Sequence, residues 1–343
     1  MKKGYIQFFT GALLTVMLFA FTREFFEGAL AGLKNCAAII IPSLFPFMVS
    51  STLCASGEMP QKLLRIASPF CRLLFNQRAE CIGAVIIGLF GGYPTGAKTA
   101  TELYKSGKIS KSQAQRLILF CINAGGGFCV TALGGSMLGS RKAGVIILTS
   151  LCISAVILGV FTRGKNEAFE PQKQLIPEPF SVAFVRSVSS AGKGITDICA
   201  FVTFFSGLIA CIGASGINSS YLLPIYCITE ITCGCANAAG HVPLEALAAA
   251  CGFGGICIHL QVFAIAGEAA PPLGKFYAYR IAHAVLAAAI CRLLLFFFPV
   301  EIPTALSFAE NTAAFSFSLP AAVSLLFLCS LLILDLDCGK KIC

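Results

Sequence analysis

A chain of 343 residues with 57% hydrophobic and only 12% charged residues lies outside the composition of soluble globular domains. Apolar stretches near twenty residues recur along almost its whole length. About twenty helical residues are needed to cross the roughly 30 Å hydrocarbon core of a bilayer. The composition therefore predicts an all-α polytopic integral membrane protein and excludes a soluble domain of useful size.

The formal net charge of +9 would suggest nucleic-acid binding in a soluble protein. Here, however, the Lys and Arg residues lie between apolar segments. That placement is typical of the positive-inside rule, under which basic loops mark the cytoplasmic side of a membrane. We therefore expect the lipid bilayer, and no nucleic acid, as the large partner of this chain.

The 18 cysteines do not resemble a disulfide framework. Most lie inside apolar runs, where cysteine behaves as a small apolar residue; examples are Cys36, Cys121, Cys152 and Cys291. Cys233 and Cys235 are one residue apart, but no histidine ligand pattern accompanies them, which is weak support for a metal. We expect neither structural disulfides nor a metal site.

The predicted elements begin with an apolar run from Met1 to Thr22, which carries two lysines at its start. It has no clean small-x-small cleavage site, so it is interpreted as a retained first span rather than a signal peptide. Two other apolar segments, 80–107 and 221–242, are broken. Eight full spans are predicted, at about 4–22, 39–57, 114–139, 143–162, 195–214, 244–266, 278–298 and 320–336.

The segment 80–107 contains Gly-Gly-Tyr-Pro-Thr-Gly at 91–96, which cannot continue a helix because proline lacks an N–H and glycine lowers helix stability. Basic residues flank the segment on both sides, which predicts a re-entrant hairpin that enters and leaves from the cytoplasm. With both chain termini cytoplasmic, this arrangement places most basic residues, Arg280 among them, on one side. Only Arg23, Arg141 and Lys142 then fall in short loops on the other side.

Residues 62–75 (KLLRIASPFCRLLF), before this hairpin, predict an amphipathic helix on the cytoplasmic surface. A polar, charge-rich linker at 163–180 divides the membrane part in two. The predicted organisation is an N-terminal helix at 1–27, a first repeat at 28–162, the linker, a second repeat at 181–298, and a loop with a C-terminal helix at 299–343.

The two halves show the same order of features. Residues 45–57 and 204–216 align at an offset of 159 and end in the same Ala-Ser-Gly. In each half a broken segment, a Gly-interrupted span and a plain span follow. With three crossings and one re-entrant piece in each half, the second half would enter the membrane upside down. Such inverted repeats are typical of secondary transporters, and their paired interrupted segments mark the substrate site.

A broken helix inside a membrane leaves backbone groups that only protein or a water-filled cavity can satisfy. At the first break, free N–H groups near Thr95 and the Lys98 ammonium can receive a carboxylate or another acceptor. The alternative is that this run merely allows a tight turn and that Lys98 snorkels to the interface. The solute-binding candidates at this break are Gly92, Tyr93, Pro94, Thr95, Gly96 and Lys98.

The other candidates follow the same reasoning. Glu230 can bind a cation, a proton or the solute, or it is an interfacial carboxylate at a helix end. Asn123 and the glycines after it offer an amide and open backbone, or a close-packing surface. His259 can line the site or bond across helices. The full set is Asn123, Gly125, Gly126, Glu230, Thr232, Gly254, Gly255, His259 and Gln261.

Signatures of enzymes and ATP-driven pumps are missing from the sequence, which has no P-loop, no G-x-S-x-G elbow and no H-E-x-x-H pair. The histidines His241, His259 and His283 do not form a ligand cluster. We therefore expect a protein that is not an enzyme and that needs no cofactor. A coupling ion such as H⁺ or Na⁺ stays open.

Four segments resemble the sporulation integral membrane protein YlbJ (SpoVV) family: PSLFPFMVSS at 42–51, GGYPTGAKTATELYKSGKIS at 91–110, FCINAGGGF at 120–128 and GFGGICIHLQV at 252–262. That family belongs to the nucleoside recognition (Gate) domain proteins of spore-forming Firmicutes. The resemblance runs from about residue 28 to 298 and is most specific at the G-Y-P-x-G-A-K core. It implies a fold similar to concentrative nucleoside transporters and a role in moving dipicolinic acid across the outer forespore membrane.

Dipicolinate is a small aromatic dicarboxylate, which suits a site made of helix N-termini, Lys98 and Asn123. The sequence thus predicts a secondary-type transporter of a small anion in the cell membrane or the outer forespore membrane. A nucleoside-like solute or a cation, carried by a symporter, is one alternative. A non-transporting scaffold in spore envelope assembly is another, and a homo-oligomer stays open.

Overall fold

The computed structural model describes residues 2–57, 60–164, 179–214 and 219–301. These residues are almost entirely helical and contain no strand, which confirms the all-α class. Three predicted regions lie wholly or mostly outside the described residues, namely the last span at 320–336, the linker at 163–180 and the C-terminal region at 299–343.

The first half of the chain contributes eight α-helices. They are α1 (Lys2–Ala20), α2 (Thr22–Asn35), α3 (Ile41–Ser56), α4 (Gln61–Phe70), α5 (Ile82–Phe90), α6 (Tyr93–Lys105), α7 (Lys111–Phe120) and α8 (Arg141–Phe161). Wider π-helical turns join α2 to α3 at Cys36–Ile40, extend α4 through Cys71–Phe75, and form the separate segment Gly127–Met137 before α8.

The described residues of the second half form six α-helices. They are α9 (Phe180–Gly213), α10 (Ser219–Thr229), α11 (Ile231–Ala238), α12 (Leu244–Phe253), α13 (Gly255–Ala266) and α14 (Leu273–Phe297). A short 3₁₀ turn, Gly267–Ala269, follows α13, and a proline pair at 271–272 separates it from α14.

Five helical stretches of the described residues are long and apolar enough to cross a membrane. They are Thr22–Ser56, Arg141–Phe161, Phe180–Gly213, Leu244–Ala269 and Leu273–Phe297. Each coincides with a predicted span, which supports a polytopic membrane protein. The number rises to six if the helices on either side of residue 77, which are bent by 88°, form one span.

Two predicted spans differ from the structure. The segment 4–22 is helical as α1, but its apolar part, Gln7–Ala20, is shorter than a crossing. The segment 114–139 was predicted as one full span interrupted by glycines, whereas α7 ends at Phe120 and helix resumes only at the π-helical stretch. Three consecutive glycines at 125–127 explain this interruption, because glycine has the highest entropic cost in a helix. The predicted count of eight spans is therefore not reached among the residues described.

Both segments that were predicted to be broken do break, and each forms a helical hairpin. In the first, Gly91 and Gly92 separate α5 from α6, and Gly92 has a φ of 104° that favours glycine. The returning helix begins at Tyr93, with Pro94 in its first turn, where proline needs no N–H partner. In the second, Glu230 alone separates α10 from α11.

Glycines allow the two limbs of each hairpin to pack closely. A Cβ on Gly96 would lie 2.9 Å from the Cα of Gly88 and would overlap the carbonyl oxygen of Cys121. A Cβ on Gly234 would lie 2.5 Å from the Cα of Cys227. The two limbs of each hairpin are therefore in contact three or four residues on either side of the tip.

A pair of long helices packs beside the first hairpin. The stretch formed by α2 and α3 runs antiparallel to α9, since Gly28 lies against Ala210 while Met48 lies against Gly194. Both α3 and α13 also contact α6, so the returning limb of the first hairpin lies among helices of both halves.

The amphipathic helix predicted at 62–75 corresponds to α4 and its π-helical extension. Leu63, Ile66, Phe70 and Leu73 recur every three or four residues and are exposed large apolar side chains. One continuous apolar face is therefore turned away from the protein, as expected for a helix that lies along a membrane surface.

The close packing at Gly96 predicts that replacing this glycine lowers the free energy of unfolding much more than replacing a glycine without close neighbours. We expect Gly96→Ala to lower the free energy of unfolding by about 1–3 kcal/mol, because the new methyl group must displace the Cys121 backbone. Gly83→Ala in α5 is the matched control, since a Cβ there meets no atom within 4 Å. Thermal unfolding in detergent measures both, and equal stability of the two variants would contradict this packing.

Candidate solute-binding site

The interruptions of the first half lie against each other. A Cβ on Gly125 would lie 2.9 Å from the backbone N and 3.0 Å from the Cα of Gly92. The non-helical backbone after α7 therefore touches the tip of the first hairpin directly. Asn123 belongs to the same stretch and donates from Nδ2 to the carbonyl oxygen of Gly88 at 3.4 Å.

The interruptions of the second half meet in the same way. A Cβ on Gly255 would lie 3.3 Å from the carbonyl oxygen of Cys227 and 3.4 Å from the backbone N of Ile231, which are on the two limbs of the second hairpin. Gly254 and Gly255 have φ values of 91° and 79°, a conformation that side chains rarely adopt. The break between α12 and α13 thus packs against the hairpin break at Glu230.

Tyr93 joins the two halves. Its hydroxyl donates to the carbonyl oxygen of Cys251 at 2.7 Å, near the end of α12. A Cβ on Gly254 would lie 3.3 Å from Cε1 of the same ring. The four interruptions of the fold therefore form one contiguous cluster, which is the arrangement expected of paired interrupted segments.

Lys98 lies just over one turn into α6 and is only 6% exposed. Its Nζ has no hydrogen-bond partner among the residues that the structure describes. A Cβ on Gly194 of α9 would lie 3.8 Å from this Nζ, so the ammonium faces α9. This burial argues against the alternative in which Lys98 snorkels to the interface, and it favours an anionic ligand for the charge.

Two buried side-chain amides have unused acceptors. The Oδ1 of Asn123 has no hydrogen-bond partner in the described part of the chain, and the Oε1 of Gln261 has none either. The Nε2 of Gln261 contacts the Sγ of Cys257 at 3.3 Å, one turn away on α13. Because α13 packs against both α6 and α9, Gln261 belongs to a helix that borders the surroundings of Lys98.

Glu230 is fully buried and caps α11. One carboxylate oxygen accepts from the backbone N of Thr232 at 2.9 Å, and the other accepts from that of Cys233 at 2.8 Å. These are the free N–H groups of a helix start, where a negative charge is stabilised. The carboxylate therefore lies inside the protein, where it holds the second tip.

His259 satisfies a carbonyl group that a break leaves free. Its Nε2 lies 2.8 Å from the carbonyl oxygen of Phe253, the last residue of α12. Its ring packs edge-on against the rings of Phe253, Phe276 and Tyr277 at centroid distances of 4.8 to 5.2 Å. This position favours the structural alternative for His259, although the residue lies beside the predicted site.

The structure describes every predicted site residue and places nearly all of them at an interruption. The exceptions are Lys98, His259 and Gln261, which lie about one turn or more from the nearest break. At the first tip, α6 begins two residues earlier than expected, and the Thr95 hydroxyl donates to the carbonyl oxygen of Gly92 at 2.6 Å. No group of three or more His, Cys, Asp or Glu in the described ranges could hold a metal ion.

Arg280 is a site residue that the sequence analysis missed. It is fully buried inside α14, and its Nη1 donates to the carbonyl oxygens of Ile122 at 2.7 Å and Gly252 at 3.4 Å. Its Nη2 donates to the carbonyl oxygen of Leu119 at 2.9 Å. One guanidinium thus binds the carboxyl-terminal ends of α7 and α12. The available signal was an arginine inside an apolar span, which is costly enough to suggest a function.

The chain is similar to the "Sporulation integral membrane protein YlbJ" of Bacillus subtilis (strain 168), with 25% identity over 171 residues. The match covers 48% of this chain and 41% of that relative, so it spans less than half the length of either. Neither a family model nor a solved structure matches the chain. The similarity confirms the resemblance predicted from the sequence, and together with the apolar helices it supports a sporulation-related membrane protein.

The three carbonyl contacts of Arg280 predict that its loss destabilises the fold. We expect Arg280→Gln to lower the free energy of unfolding by about 1–3 kcal/mol for each carbonyl group left unpaired. Arg292→Gln on the same helix is the control, because its ion pair with Glu245 is exposed and such pairs contribute about 0–1 kcal/mol. Thermal unfolding of both variants in detergent is the measurement, and equal effects would rule out the carbonyl clamp.

Proposed function

We propose that this protein is a secondary-type transporter that binds a small carboxylated solute at the cluster of helix breaks and moves it by alternating access. The observation that carries the proposal is the Lys98 ammonium, which is buried beside the breaks and has no partner among the described residues. A buried cation costs free energy unless it is paired, and a carboxylate forms a strong charge-assisted hydrogen bond with it.

An inverted repeat, similar to concentrative nucleoside transporters, accounts for the cluster. A hairpin, a broken helix and a long helix follow one another as α5–α6, α7 with its π-helical partner, and α8. The same order recurs as α10–α11, α12–α13 and α14. In the complete arrangement that we propose, eight crossings and two re-entrant hairpins would place the second half upside down relative to the first.

For the solute we propose dipicolinate, and for the location the outer forespore membrane, with both chain termini on the cytoplasmic side. The support is the similarity to a sporulation integral membrane protein and the chemistry of the site. Lys98 offers a cation for one carboxylate. The Nδ2 of Asn123, at another helix break, has a second amide hydrogen to donate besides the one bonded to Gly88.

A nucleoside or cation symporter is the second candidate, and the burial of Glu230 favours it. A carboxylate that is 0% exposed and lies at a helix break is a natural position for a coupling ion or proton. Each of its oxygens accepts one backbone N–H and retains a second lone pair. Glu230 could therefore bind a cation without releasing the helix cap.

The transporter proposal predicts a loss of uptake when the Lys98 charge is removed. In proteoliposomes we expect Lys98→Gln to reduce uptake of labelled dipicolinate about 10- to 100-fold, because a hydrogen bond to a charged group contributes about 1.5–3 kcal/mol. Lys98→Arg, which keeps the charge, should retain more uptake. Lys105→Gln, at the exposed end of the same helix, is the control and should match the wild type.

One outcome would contradict the role of Lys98, and another would contradict transport as the function. Normal uptake by Lys98→Gln would remove Lys98 from the site. An absence of uptake by the wild-type protein for every carboxylate, nucleoside and ion tested would favour the alternative of a membrane scaffold in spore envelope assembly.

The symporter candidate makes a separate prediction for Glu230. If uptake depends on a Na⁺ or proton gradient, we expect Glu230→Gln to remove that dependence, since the neutral amide keeps only one acceptor oxygen. Glu245→Gln, in the first turn of α12, is the control. Uptake measured with and without the gradient decides the point, and unchanged gradient dependence in Glu230→Gln would exclude this role.

A further inference from the structure

The α9 surface at Gly194 faces Lys98 of the first hairpin. A Cβ built on Gly194 would lie 3.8 Å from the Nζ of Lys98 and 2.5 Å from the Cε of Met48. A Cβ on Gly192, on the same helix two residues earlier, would meet no atom within 4 Å. The absence of a side chain at 194 therefore makes room for the Met48 methyl group and brings the α9 backbone close to the buried ammonium.

We propose that Gly194 is a solute-binding residue, which forms the wall opposite Lys98 and limits the size of the acidic group that reaches the ammonium. The proposal rests on the transporter function put forward above. It further states that the anion approaches Lys98 between α6 and α9. Gly194 sets the width of this path.

A small acidic group can reach Lys98 from this side only when the Met48 methyl group leaves the space beside Gly194. A carboxylate oxygen bound to Lys98 would lie about 2.8 Å from its Nζ. A methyl group at 194, only 3.8 Å from the same Nζ, would occupy part of the volume that the carboxylate needs. A larger side chain would occupy all of it. The Met48 methyl group on the other side can adjust, because methionine is unbranched and flexible.

The surroundings select the class of solute. Gly194 lies between Ala191, Ile195 and Ile198, which are buried apolar residues of α9 that pack with Met48 in one cluster. The Lys98 charge, on which the Glu102 carboxylate one turn further along α6 also acts, suits a single carboxylate attached to an apolar ring or chain. A phosphate monoester carries about −1.5 to −2 charges at pH 7, which a single lysine does not balance. The pocket is therefore selective for carboxylates over phosphates.

The direct test is binding of dipicolinate, of picolinate as a monocarboxylate, and of inorganic phosphate to purified protein, followed by the increase in melting temperature. We expect wild type to bind both carboxylates and not phosphate. Gly194→Ala should bind them more weakly, and Gly194→Leu should lose about tenfold or more in affinity, or 1.4 kcal/mol. Gly192→Leu should bind as the wild type does, since that position meets no neighbouring atom.

A second measurement does not depend on the identity of the solute. In the Gly194→Cys variant, a negatively charged methanethiosulfonate should react faster than a positively charged one, because Lys98 attracts the anion. The preference should vanish when Lys98→Gln is added, and it should be absent in Gly192→Cys. Reaction of the wild-type chain gives the background from its native cysteines.

The failures of the two proposals can be told apart. If Lys98→Gln loses carboxylate binding while Gly194→Leu binds as the wild type does, the wall at Gly194 is wrong and the transporter proposal stands. If the wild type binds no carboxylate, the transporter proposal falls. In that case, equal rates of the two reagents at Gly194→Cys would also overturn the anion pocket, whereas a preference that depends on Lys98 would retain it.

Discussion

The guanidinium of Arg280 donates to carbonyl oxygens of Leu119 and Ile122 in one half of the fold and of Gly252 in the other. These carbonyl groups end helices, so they lack partners within the helix, and in a membrane protein only other protein groups or a water-filled cavity can satisfy them. Here a buried guanidinium supplies the donors. Because a single side chain serves both ends, it also holds the two interruptions next to each other, and His259 assists by pairing with Phe253.

This requirement divides the candidate residues into two groups. One group is occupied with backbone groups at the breaks, as Tyr93, Glu230 and His259 are. The other group retains buried polar atoms without partners in the described structure, namely Lys98 Nζ, Asn123 Oδ1 and Gln261 Oε1. The second group can take up a solute without releasing a helix end, and so can the spare lone pairs of Glu230 and the unpaired Nδ1 of His259. A polar ligand is then bound by side chains while the supporting framework stays intact.

Local chemistry accounts for what could be predicted from the sequence. Gly91, Gly92 and Pro94 cannot continue a helix, so the first break was predictable from these residues, and the basic residues on both flanks predicted a hairpin. The glycines at 125–127 likewise predicted an interruption within 114–139, although the segment was still counted as a full span. The roles of Arg280 and Gly194 were beyond reach for another reason, although an arginine inside an apolar span was itself a signal. Their partners are backbone carbonyls and a lysine that only the tertiary fold brings near them.

The long antiparallel pair made by α2 with α3 and by α9 has a consequence for the membrane. At 1.5 Å per residue, the 35-residue and 34-residue stretches are each about 50 Å long, against a hydrocarbon core of about 30 Å. A tilt of about 40° reduces the difference between helix length and core thickness but does not remove it. The ends of both stretches must therefore extend past the hydrocarbon core, so that this pair reaches into the headgroup regions or the water on at least one side of the membrane.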